Sequence, residues 1–79
     1  MSEAELLSRI TVDPAVLTGK PVIRGLRISV DHVIRSLAAG ISTEDILEDY
    51  PDLEREDIQA CLIYAAHLIE EERVYRIAK

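Results

Sequence analysis

Gly40 and Pro51 divide the chain from Ser29 onward into three short segments, and in each the apolar residues recur at helical spacing. A small helical core is therefore the expected outcome, whatever the composition. The first segment starts at Ser29, a residue type that caps helix N-termini, and sets Val30, Val33, Ile34, Leu37 and Ala38 on one face. Gly40 ends it as the residue after the C-cap. The second segment opens at Ser42, with Asp45 in the capping-box position and Ile41 and Ile46 spaced as a hydrophobic staple. It stops near Tyr50, because Pro51 disfavours helix at the residue before it. The third runs from about Arg55 to about Arg73, with Ile58, Cys61, Leu62, Ala65, Leu68 and Ile69 as a broad apolar face. Leu53 and Ile58 have staple spacing, but the N-cap falls on Glu54, a weak capper. Past Ile69 the stripe weakens, and residues 74–79 read as an extended tail.

Ahead of the helices, Ile10 and Val12 alternate with Arg9, Thr11 and Asp13, which predicts a short strand ended by Pro14. Thr18-Gly19-Lys20-Pro21 reads as a turn. Val22-Ile23-Arg24 and Arg27-Ile28 flank Gly25-Leu26, which predicts a tight hairpin. The expected fold is thus mainly α: a helix-turn-helix-like core over residues 30–73 behind a strand and hairpin in residues 1–29. A chain of 79 residues has room for one core, and a domain that small sits near the lower limit of independent stability. A homodimer is therefore expected, using the third helix or the tail.

Composition narrows the class. Hydrophobic residues make up 48% and charged residues 30%, a globular balance, while only 4% are aromatic, so the core has to be aliphatic. No stretch is apolar for the roughly 18 residues a membrane helix needs, and Met1-Ser2-Glu3-Ala4-Glu5 is acidic where a signal peptide is basic. A cytoplasmic location is the expectation. The single cysteine, Cys61, can make neither an internal disulfide nor a thiolate zinc cluster, and it sits on the apolar face as an inert buried residue. No cofactor, metal or small-molecule substrate is expected. His67 with Glu71 one turn later supplies two possible ligands, which do not make a metal site. Gly19, Gly25 and Gly40 have neither dinucleotide nor P-loop spacing, and no nucleophile sits beside a base, so the chain reads as a non-enzyme.

The net charge of −6 argues against non-specific attraction to nucleic acid, which needs Lys and Arg to neutralise phosphates. Its distribution is uneven. Before Ile41, Arg9, Lys20, Arg24, Arg27 and Arg35 face only Glu3, Glu5, Asp13 and Asp31, whereas the rest of the chain is strongly acidic. Lys20, Arg24 and Arg27 on the hairpin, near Arg35, have two readings: a patch facing DNA phosphate or an acidic partner, or pairing with the domain's own carboxylates. The second helix carries Glu44, Asp45, Glu48 and Asp49, and the third begins Glu54-Arg55-Glu56-Asp57, so neither suits a helix that reads base edges with Arg, Lys, Asn and Gln. At the other end, Glu70, Glu71 and Glu72 with Val74, Tyr75 and Ile77 join steering charge to apolar anchors, the makings of a partner contact.

Several of these residues carry a resemblance. Gly19-Lys20-Pro21-Val22-Ile23-Arg24-Gly25, Arg27-Ile28, Leu37-Ala38-Ala39-Gly40, Tyr50-Pro51 with Leu53, and Tyr64-Ala65-Ala66 resemble the bacterial domain-of-unknown-function family 433, over roughly Ile10 to Arg73. The resemblance implies a homeodomain-like three-helix fold with a β element in front. It further implies the antitoxin half of a type II toxin-antitoxin pair, whose partner toxin resembles a PIN-type ribonuclease, with possible binding to operator DNA. The alternative is a free-standing DNA-binding regulator that acts as a dimer. Two positions depart from the family pattern: Leu26, expected to expose its side chain at the hairpin tip, and Ser29 at the start of the first helix.

Overall fold

The structure is a computed structural model that describes residues 1–71. Its elements are α1 (Glu3–Leu7), β1 (Ile10–Thr11), β2 (Val22–Ile23), α2 (Val30–Ala38), α3 (Thr43–Asp49) and α4 (Arg55–Glu71). The three sequence-predicted helices are α2, α3 and α4. The strand is there too: β1 pairs antiparallel with β2, Ile10 opposite Ile23 and Thr11 opposite Val22.

Local chemistry accounts for the helix ends. Ser29 accepts from the His32 backbone N–H and Ser42 from that of Asp45, as N-caps do. At the end of α2, Gly40 N–H donates to Leu37 O and Ile41 N–H to Ser36 O, the paired bonds of a Schellman motif. That motif needs a left-handed residue, and Gly40 supplies it at φ 92°. Helix α3 ends at Asp49, with Tyr50 as its C-cap before Pro51.

Helix α1 is absent from the sequence reading. Its signal is Ser2-Glu3-Ala4-Glu5, in which the Ser2 hydroxyl accepts from the Glu5 N–H while the Glu5 carboxylate accepts from the Ser2 N–H. Leu6 is its buried residue; the helix packs along α4, and His67 Nε2 lies 3.1 Å from Glu3 Oε1.

The core is aliphatic: Ile23, Val30, Val33, Ile46, Leu53, Ile58 and the Cys61 thiol form one buried cluster, with Ile10, Leu26, Ile28, Ile34 and Leu37 against its edge. Two expectations change here. Leu26 is not an exposed tip residue; the turn folds back so that it is half-buried against the core. The broad apolar face of α4 is buried only in its first two turns, at Ile58, Ala60 and Cys61, while Leu62, Leu68 and Ile69 are half or more exposed. At about 1.5 Å per residue α4 is roughly 25 Å long, and α2 and α3 are too short to cover it. The tail over 74–79 lies outside the described residues. No helix among those described is long and apolar enough to cross a membrane.

Candidate functional site

The segment from Lys20 to Ser29 builds two neighbouring features of opposite character. The first is a buried ionic cluster. Ile23 O accepts from Leu26 N–H across Arg24-Gly25, and both central residues have positive φ, 47° and 72°, which marks a type I′ turn. A left-handed φ costs an L-residue about 1–2 kcal/mol, so Arg24 holds this conformation against its own preference. Its side chain gives the reason. The Arg24 guanidinium makes two bonds to the Asp57 carboxylate, Nη2 to Oδ2 at 2.7 Å and Nε to Oδ1 at 3.1 Å, and a third from Nη2 to Asp52 O.

Arg9 closes the other side, with Nη1 2.9 Å from Asp57 Oδ1 and 2.7 Å from Glu54 Oε1. Asp57 itself is 0% exposed. Its Oδ2 also accepts from the Glu54 backbone N–H, so Asp57, third residue of α4, supplies the capping that Glu54 cannot. Burial pushes the Asp57 pKa up, but the bonds from Arg24, the Glu54 N–H and Arg9 outweigh it and hold the carboxyl below its ordinary 3.8. One turn on, burial, helped by the charge of Asp57, pushes the Cys61 thiol up from 9.0 to about 12. Cys61 is thus neutral and unreactive at neutral pH.

The second feature is open. A depression of about 270 Å³ is lined by Leu17, Arg27, Ile28, Ser29, His32 and Tyr50. It adjoins another of about 260 Å³ lined by Leu17, Thr18, Lys20 and Ser29. On its wall His32 Nε2 lies 2.9 Å from Tyr50 Oη, with the rings edge to face. Leu17 and Thr18, at φ 48° and 54°, form a left-handed turn along its rim.

The residues singled out by sequence therefore separate. Arg24 turns inward to Asp57, and Arg35 lies along α2 with its Nε 3.1 Å from Asp31. Lys20 and Arg27 stay exposed beside the depressions. Glu70 and Glu71 are exposed on the last turn of α4, while Glu72, Val74, Tyr75 and Ile77 lie outside the described residues. Sequence reading missed Arg9, Asp57, His32 and Tyr50. Asp57 carried a signal, an acidic residue three places after a weak N-cap at the head of an apolar helix face.

Comparison with known proteins adds one deciding observation: the profile of the DUF433 family, proteins of unknown function, matches residues 10–65. The chain belongs to the DUF433 family. The match spans β1 to the middle of α4, so both the Asp57 cluster and the depressions lie within the DUF433 unit, whereas α1 and the end of α4 lie outside it. A curated relative, the uncharacterized protein y4eO of Sinorhizobium fredii (strain NBRC 101917 / NGR234), is 46% identical over 56 residues. That alignment covers 71% of this chain and 25% of the relative, so this DUF433 chain spans about a quarter of that protein's length. No solved structure matches the chain.

Proposed function

We propose that this DUF433 chain is a non-catalytic binding module: the antitoxin of a type II toxin-antitoxin pair, which neutralises a PIN-like ribonuclease and represses its own operon. The observation that supports a protein partner is the end of α4, where Leu68 and Ile69, 51% and 67% exposed, run directly into exposed Glu70 and Glu71. Apolar side chains anchor an interface and carboxylates steer the encounter. A ribonuclease has to present a basic surface to its phosphate-bearing substrate, and an acidic helix end complements such a surface. The family resemblance supports the nature of the partner, and this exposed end supports the place of contact.

Co-expression with the product of the adjacent gene, which this reading expects to be nuclease-like, tests it. A stable complex is expected, and deletion of Val74–Lys79 lowers its affinity at least about tenfold, about 1.4 kcal/mol, with the core still folded. Absence of a complex with the intact chain overturns the antitoxin reading. Unchanged affinity after truncation removes the tail from the contact.

A second reading, a DNA-binding regulator acting as a dimer, is favoured by the exposure of Lys20 and Arg27. Leu62 and Ile69, seven residues apart on one side of α4 and both exposed, are the apolar surface that supports a dimer contact in either reading. Sedimentation equilibrium at tens of micromolar is expected to show a homodimer; monomer alone contradicts this.

A further inference from the structure

Among the described residues the Lys and Arg side chains are Arg9, Lys20, Arg24, Arg27, Arg35 and Arg55. Four of them are paired with carboxylates: Arg9 with Glu54 and Asp57, Arg24 with Asp57, Arg35 with Asp31, and Arg55 with Glu44. Lys20 and Arg27 have no carboxylate partner among the described residues, in a chain whose net charge is −6. These two line adjoining depressions that share Leu17 and Ser29, and no acidic residue lines either one. An acidic protein thus keeps carboxylates away from one concave spot and leaves two cations there.

The other polar groups at that spot add donors. Ser29 Oγ accepts from the His32 N–H, which leaves its hydroxyl proton to be given outward. Tyr50 and His32 line the same depression, and with His32 in the tautomer whose Nε2–H donates to Tyr50 Oη, the Tyr50 hydroxyl proton is left to be given to an anion. These donors come from four separate pieces of chain: the run before β2, the hairpin, the start of α2 and the end of α3. Donors spread over four pieces of chain can approach one group from several sides, which the tetrahedral oxygens of a phosphate use more fully than the two oxygens of a planar carboxylate. Each depression, at about 270 and 260 Å³, falls below the roughly 300–1,000 Å³ of an enclosing ligand pocket. The space suits an anionic group whose attached body stays outside.

We propose that this cleft binds the phosphate of a nucleotide, free or within a nucleic acid strand, with Arg27 and Lys20 as the charge partners and Ser29 and Tyr50 as hydroxyl donors. The site does not depend on the nuclease-binding reading, whose contact lies at the far end of α4. Failure of the complex and failure of this site are therefore separately visible.

The test is a titration of the isotope-labelled full chain with inorganic phosphate, a deoxynucleoside monophosphate, short duplex DNA and, as a control, acetate, followed by amide chemical shifts. Saturable shifts are expected at residues 17–20, 27–32 and Tyr50. The paired substitutions Lys20→Gln and Arg27→Gln, which keep part of each apolar stem, are expected to weaken phosphate binding at least about tenfold. Arg55→Gln, away from the cleft, leaves it unchanged. Tighter binding of duplex than of mononucleotide, with a steep fall in salt, assigns the phosphate to a strand; equal binding assigns it to a free nucleotide. Either supports the site. Shifts centred elsewhere, no saturation with any phosphate, acetate binding as tightly as phosphate, or a Lys20→Gln/Arg27→Gln chain that binds like the parent overturns the proposal.

Discussion

The ionic cluster at Asp57 and the cleft beside Arg27 are built from one short run of chain, yet they treat positive charge in opposite ways. In the cluster, Arg9 and Arg24 converge on a carboxylate with no solvent contact, and Arg24 accepts a left-handed backbone to reach it. In the cleft, Lys20 and Arg27 pair with no carboxylate among the described residues and line open depressions. The difference teaches that charge type alone does not separate a binding residue from a structural one. What separates them is where the opposite charge lies: for Arg24 it arrives from α4, 33 residues away in sequence.

If the cluster is structural, Asp57→Ala is the most damaging single change. It takes the carboxylate away from Arg24, leaves Arg9 with Glu54 alone and uncaps α4, and removal of one partner from a buried pair costs about 3–5 kcal/mol. Domains hold about 0.05–0.15 kcal/mol per residue, roughly 4–12 kcal/mol for 79 residues, so this variant is expected to lose a quarter or more of its stability, read as a urea midpoint far below the parent's. The same carboxyl sets the acid limit. Its folded pKa is depressed, so the stability it supplies is present above the ordinary 3.8 and is lost as pH falls through the lower folded value. Stability is expected to hold from neutral pH to about 4 and to fall below it.

The alkaline side runs the other way through Cys61. Its folded pKa is raised, so its contribution is complete below 9.0 and declines as pH climbs toward about 12, where the unfolded chain gains a thiolate that the core refuses. The loss is at most about 1.4 kcal/mol per pH unit. Urea denaturation at pH 8 and pH 10.5 is expected to show a steeper loss for the parent than for Cys61→Ala; equal slopes contradict burial of the thiol.

A smaller effect separates backbone from side chain at Arg24. Arg24→Gly and Arg24→Ala both lose the pairing with Asp57, but glycine is at ease at φ 47°. The glycine variant is expected to be more stable than the alanine variant by about 1 kcal/mol. Equal stabilities would mean that the turn is not left-handed in solution.

Much of the fold was legible in the sequence. Ser29, Gly40, Ser42 and Pro51 act within a few residues of themselves, so the bounds of α2 and α3 follow from them directly. Helix α1 was legible in principle, since Ser2 and Glu5 form a capping box, but five residues offer little apolar periodicity to notice. The family-matching run Gly19 to Gly25 was visible as a motif, though the role of Arg24 was not, because its partner Asp57 is set by tertiary packing. The same holds for His32 and Tyr50, which meet only once α2 and α3 are packed. Leu26 misled because a hairpin tip is ordinarily solvated; here the turn leans on the core.

The division of labour within this one segment is tested most directly by comparing two variants in equilibrium urea denaturation at neutral pH. Arg24→Ala removes an arginine that is paired, and Lys20→Gln with Arg27→Gln removes two cations that are not. The account predicts a clearly lowered midpoint for Arg24→Ala, and for the paired glutamines an unfolding free energy within about 0.5 kcal/mol of the parent's, as for surface changes away from structural contacts. A parent-like midpoint for Arg24→Ala, or a loss of stability in the Lys20→Gln/Arg27→Gln chain as large as that of Arg24→Ala, would contradict it.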